Sequence, residues 1–274
     1  MSTRGKAKST LLGIQGLTGH INVPDWSFIY ETSLVKDPGW NIGDRVVLPD
    51  GREFRYARAS AACISGQGCE FTYTGAFGKY PITTVAVGGR EITLADSGST
   101  TVLTHSATYA KDVFRGGYVI CHDAAAGNAD AQFRGIIGNE ASAVNAVVKL
   151  YLDGPLHKAV DTTTFTEVFE NPYAALRTGT SAALAKAGVP AVEVSTALMY
   201  FWVQKDGPVF VAPQTSDVGG HGGMGCNWRH DGSIEAIEIA LGIASVPAAD
   251  STQYAGYTLL GSQAGNGPLF MLKG

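Results

Sequence analysis

The apolar stretches of this chain are short, and most end in a turn signal built on glycine, proline or aspartate. Arg45-Val46-Val47-Leu48 and Glu53-Phe54-Arg55-Tyr56 flank Pro49-Asp50-Gly51, which supplies turn chemistry for a β-hairpin. Ile82 to Val87 and Arg90 to Leu94 flank Gly88-Gly89, a pair that tolerates the positive φ values of a two-residue hairpin turn. Met199 to Gln204 and Val209 to Ala212 flank Lys205-Asp206-Gly207-Pro208, a third hairpin pattern. Strands are also expected at 117–121, 133–137, 147–152, 166–169, 257–260 and 269–272. Glycine contributes 35 of 274 residues, about twice the ordinary share, but with no G-X-Y period, so the chain is not collagen-like.

Helical pattern is scarce. Ser181 to Ala187 (SAALAKA), closed by Gly188 and Pro190, reads as a helix of about two turns. Asn139 to Ala146 is a second candidate. Ile234 to Leu241 fits either period and is read as a strand because its neighbours are strands. No repeat of 20–50 residues is present, which argues against a solenoid or propeller. The expected fold is mainly β: an antiparallel β-sandwich or β-barrel domain with an extended N-terminal arm and at most one or two short helices.

Residues 1–42 differ from the rest. Large apolar residues are scattered there among glycines, with Pro24 and Pro38, and no period is sustained. Either an extended arm along a neighbouring surface or an ordinary N-terminal strand satisfies that pattern. Residues 43–274 then form a β-rich domain, with room for two subdomains dividing near 160–190. In the strand around Tyr200-Phe201-Trp202, alternation sends Tyr200 and Trp202 to one face and Phe201 to the other. Such a strand is covered on both sides, by a second sheet or by another chain.

Charged residues make up only 16 % of the chain, and the net charge is −4. That leaves no global positive field for nucleic acid. The one basic cluster, Arg4, Lys6 and Lys8, is either a solvated end or an arm for an acidic surface. No segment approaches the about 18 consecutive apolar residues of a membrane span, and Leu11 to Leu17 does not have the form of a signal peptide. Assembly in the cytoplasm is therefore expected, with the four cysteines, Cys63, Cys69, Cys121 and Cys226, reduced. Cys63 and Cys69 are close enough in sequence to be bridged if oxidised.

Few residue patterns carry chemistry. Gly220-His221-Gly222-Gly223-Met224-Gly225 matches G-x-G-x-x-G in form but follows no strand directly and opens no clear helix. His221, Cys226 and His230, with Asp231, are conceivable metal ligands without a defined fourth. Cys121-His122-Asp123 has the residue types of a nucleophile–base pair, but neighbours on a strand face opposite ways. Glu167 and Glu170 are close enough in sequence to pair. The reading is of no enzyme, with no catalytic, cofactor-binding or metal residue assigned.

Several motifs, in order along roughly residues 10–270, resemble a group of tailed-bacteriophage virion proteins. They are Leu48-Pro49-Asp50-Gly51-Arg52-Glu53-Phe54-Arg55-Tyr56-Ala57, Gly116-Gly117-Tyr118-Val119, Phe133-Arg134-Gly135-Ile136, Val148 to Leu156, Asn171-Pro172-Tyr173, Gly188-Val189-Pro190, and Tyr200 to Gln204 with Gly207-Pro208. The resemblance implies a head decoration (cement) protein on the capsid exterior, partnered by the major capsid protein and by itself as a homotrimer. It implies no catalytic residues; no cofactor, nucleic acid or membrane is expected as a partner. Arg4, Lys6, Lys8, Leu12, Ile14 and Trp26 are the expected capsid-contact residues. A tail, fibre or connector role, using the loop 214–233, is the alternative.

Overall fold

The computed structural model describes residues 26–72, 77–79, 83–94, 108–122, 131–143, 146–179, 184–213, 225–237, 253–260 and 269–274. The chain divides into two units: residues 1–72 with 173–274, and residues 73–172 between them in sequence. Among the described residues no helix is long and apolar enough to cross a membrane.

In chain order the strands are β1 (Arg45–Val47), β2 (Glu53–Arg58), β3 (Cys69–Phe71), β4 (Phe77–Lys79), β5 (Glu91–Leu94), β6 (Tyr118–His122), β7 (Gln132–Asn139) and β8 (Val148–Leu152). There follow β9 (Phe165–Phe169), β10 (Leu176–Thr178), β11 (Lys186–Pro190), β12 (Tyr200–Phe210), β13 (Gly225–Trp228), β14 (Ile234–Ala236), β15 (Tyr254–Leu260) and β16 (Leu269–Leu272). The first unit holds a 10-stranded sheet with β10-β3-β11-β12-β16-β15-β13-β14 in order, and with β2 and then β1 attached to β12. The second holds a 6-stranded sheet ordered β4-β9-β6-β7-β8-β5. Both sheets are antiparallel and curl into half-barrels, as the mainly β expectation requires.

The second unit follows from alternation. In β6, β8 and β9 every other side chain is buried. Val119, Cys121, Val148, Leu150, Leu152 and Val168 thereby join Ile92, Leu94 and Phe114 in one core. Such period-2 burial is how an antiparallel sheet places one face inside and leaves the other out.

β12 organises the first unit. Its Phe201 lies in a core with Ala57, Cys69, Leu176 and Val194, while Trp202 faces a second core with Ile29, Val46, Phe54 and Tyr56. Both faces of this strand are therefore covered within the chain. Trp202 meets Trp40 edge-on at 4.9 Å, Phe28 edge-on at 5.6 Å and Tyr56 at 5.1 Å between ring centroids. These rings bind the stretch before β1 to the sheet, and a short 3-10 turn at Ser27–Tyr30 brings Ile29 into the same core. Of the expected arm 1–42, residues 1–25 lie outside the described residues, and 26–42 pack on their own unit.

Four local expectations give way. Lys205-Asp206-Gly207-Pro208 makes no hairpin, because β12 is one 11-residue strand running through it. Gly207 takes φ +96° beside a register shift against β2. The Gln204 amide nitrogen spans the irregularity, donating to the Asp206 carbonyl at 3.1 Å and the Pro208 carbonyl at 2.9 Å. Turn-forming residues here make a bulge, which needs the same positive φ. Gly88-Gly89 does turn, but 85–89 runs against 156–160, and β5 pairs with β8.

The expected helix at 181–187 is overturned at its described end. Lys186–Pro190 is a fully buried strand, with Gly188 at φ +141°, between β3 and β12. Alanine's helix preference loses to burial on both faces. Asn139 ends β7 instead of opening a helix. Its side chain accepts from the Phe114 N–H at 2.9 Å and donates to the Ala110 and Glu140 carbonyls at 3.0 and 2.8 Å.

Because three aromatic rings and the 3-10 turn meet on Trp202, Trp202→Ala is expected to cost about 3–5 kcal/mol. Urea unfolding followed by circular dichroism measures the loss.

Candidate functional site

The chemistry-bearing motifs do not assemble among the described residues. Of the 214–233 loop, residues 214–224, and His221 with them, lie outside those residues. Gly225 opens strand β13, where a dinucleotide fingerprint needs a helix. Cys226 is buried beside Val211, Trp228 and Ile234, and burial pushes its thiol up to about 11. Asp231 accepts from the Ser233 backbone N–H at 2.9 Å and from its hydroxyl at 2.6 Å. Among the described residues no three His, Cys, Asp or Glu side chains converge on one point.

Strand alternation separates Cys121 from His122. Cys121 is in the second unit's core, whereas the His122 Nε2 meets Glu167 Oε2 at 3.1 Å across β9. Glu167 thus faces an imidazole, and Asp123 lies outside the described residues. Cys69 is fully buried; burial and the neighbouring Cys63 thiol push it well above its ordinary range.

One ionic cluster was invisible in the sequence. Register places Arg177 of β10 and Lys186 of β11 directly opposite Glu70 of β3, one on each side. The Glu70 carboxylate, 0 % exposed, meets Arg177 Nε at 2.7 Å and Lys186 Nζ at 3.1 Å. Lys186 also donates to the His230 carbonyl at 2.9 Å. This buried carboxylate is compensated by cations from two neighbouring strands, and removing one partner leaves an uncompensated charge.

The first unit also contains an open cleft of about 330 Å³. Its walls include Tyr30 from the 3-10 turn, Arg52 from the β1–β2 loop, Pro190 at the end of β11, Gln204 and Phe210 of β12, and Leu269 of β16. The loop aspartate positions Arg52: Asp50 accepts the Arg52 backbone N–H at 3.1 Å and its Nε at 2.7 Å. Burial opposes ionisation of Asp50, but the Arg52 hydrogen bonds and charge outweigh it and hold the carboxyl below its usual range. An Arg52 terminal nitrogen donates to the Tyr30 hydroxyl at 2.9 Å, and its guanidinium sits 5.8 Å over the Phe54 ring.

Two surfaces carry large apolar side chains outward. On the second unit, the face opposite the core presents Tyr118 and Ile120 of β6, Phe133 and Ile137 of β7, and Phe169 of β9. Phe133 and Ile137 are each 56 % exposed, and Tyr118 stacks on Phe133 at 5.2 Å. On the first unit, Leu34, Val35 and Leu198 are exposed, and an isolated bridge pairs Ser33 with Tyr200 beside them. Leu198 holds φ +67°, which a large side chain adopts only under constraint. Among the expected contact residues, Arg4, Lys6, Lys8, Leu12 and Ile14 lie outside the described residues, and Trp26 packs 6.1 Å from Phe28.

No known family model, curated protein or solved structure matches this chain.

Two outcomes are expected. All four thiols are buried, so a thiol reagent at pH 8 should modify none in the native protein and all four after denaturation, as mass spectrometry would count. Lys186→Met should destabilise by about 3–5 kcal/mol in denaturant titration, with Glu70→Leu added to it restoring part of the loss.

Proposed function

We propose that this chain is a structural virion protein of a tailed phage, which binds the outer capsid surface and stabilises the head through contacts with the major capsid protein and with its own copies as a homotrimer. The observation that supports it is the outward face of the second unit, where Tyr118, Phe133 and Ile137 stand on a hydrogen-bonded sheet. Exposed apolar groups gathered on a rigid surface favour association, because covering each large side chain is worth about 1.5–3 kcal/mol. The colinear motifs named in the sequence direct the reading to a phage head. No step of bond making or breaking is assigned to it.

The cleft beside Arg52 favours a second reading, a tail or connector protein that grips a partner. Loops and strand ends on a β scaffold are common binding positions.

The test uses empty tailed-phage heads assembled from a major capsid protein without its decoration protein. Phe133→Glu with Ile137→Glu should weaken head binding by about tenfold or more, with circular dichroism unchanged, since both side chains face outward. Undiminished binding overturns the role of this face. Deleting residues 1–25 tests the leading segment; deleting 1–30 would also remove Ile29 from the core. Immunogold label over the whole head supports the first reading, and label confined to the tail overturns it.

A further inference from the structure

We propose that the cleft of the first unit docks an extended peptide of a partner protein, recognising a carboxylate beside a large apolar side chain. The proposal is independent of head binding and is read on the isolated protein.

Arg52 supplies the charge. A guanidinium has five N–H donors. One, on Nε, is held by Asp50 and another by the Tyr30 hydroxyl, which leaves three without a partner among the described residues. Both Asp50 oxygens are occupied by Arg52 itself, so the aspartate orients the guanidinium from one edge. A planar fork held in this way matches a carboxylate with paired hydrogen bonds.

Gln204 supplies the complementary acceptor. The residue is only 4 % exposed, and its amide nitrogen is committed to two backbone carbonyls. Those bonds fix which end of the amide is which. Its Oε1 has no partner among the described residues, and the residue lines the cleft. That oxygen is not among the buried unpartnered atoms; it is open to water at the cleft, where a peptide N–H would take the water's place.

Size and rim favour a peptide over a small carboxylate. A volume of about 330 Å³ accepts one large side chain and its adjoining backbone. Tyr30, Phe210 and Leu269 line the cleft yet remain substantially exposed. An occupant that covers those rim groups has to extend beyond the cavity, as a chain does and a short acid does not.

Calorimetric titration of the full chain uses four probes. The first is N-acetyl-Gly-Ser-Gly-Leu-Phe with a free carboxyl terminus, and the second is its C-terminal amide. The third is an amidated peptide with an internal Leu-Phe-Asp, and the fourth is hexanoate. The free-carboxylate peptide or the Asp peptide should bind about tenfold more tightly than the neutral amide, and which of them does so identifies the source of the carboxylate. Arg52→Gln should erase that preference. Phe210→Ala, at the exposed rim, should weaken both carboxylate peptides while retaining the preference over the amide. Equal binding of amide and carboxylate peptides, hexanoate binding as tightly as the peptides, or no saturation at millimolar peptide overturns the proposal.

Discussion

The first unit depends on one strand being covered from both sides. β12 carries Phe201 into one core and Trp202 into another, and its length lets it pair with β2 and β11 near its start and with β16 near its end. A strand that pairs in both halves of a curled sheet has to change direction without breaking, and the irregularity at Gln204–Gly207 does that. The cleft follows from the same geometry. Its walls come from β11, both halves of β12 and the start of β16, so the cavity sits where one set of strand partners gives way to the next.

What could be read in the sequence was what is decided locally. The β1–β2 hairpin has its turn residues and its alternation within 14 positions, Arg45 to Arg58, and both appear in the structure. β16 was legible at its full extent, and β6 to β9 to within a few residues, because their burial alternates. Lys205 to Pro208 was misread because positive-φ glycine chemistry serves a bulge as well as a turn. β11 was misread because helix preference is weak beside burial on both faces. The pairing of Glu70 with Arg177 and Lys186 had no local sign, since residues more than 100 positions apart meet only through strand register. The cleft was hidden for the same reason.

The low share of charge in the composition has a structural counterpart. On β6, β7 and β9 of the second unit, the outward rows that usually carry lysine and glutamate hold Tyr118, Ile120, Phe133 and Phe169, with His122 and Glu167 facing each other, whereas β5 and β8 keep the Glu91–Lys149 ion pair. Antiparallel sheets ordinarily give that face to water. Here the alternation that buries one side is kept, but the polar half of the pattern is thinned. The sheet thus keeps its buried core while offering apolar surface to whatever covers it.

Phe71 of β3 lies opposite Leu176 of β10, and the Thr72 N–H reaches the Ala175 carbonyl at 3.1 Å. Everything from 73 to 172 therefore leaves and re-enters the first unit between two adjacent, hydrogen-bonded strands. Topologically, the entire second unit occupies the place of a hairpin loop. Closing such a loop becomes only about 0.6 kcal/mol harder for each doubling of its length. For a folded insert what matters is then less its size than that its two ends emerge side by side, as they do here between β3 and β10, while the strands around Trp202 close without it.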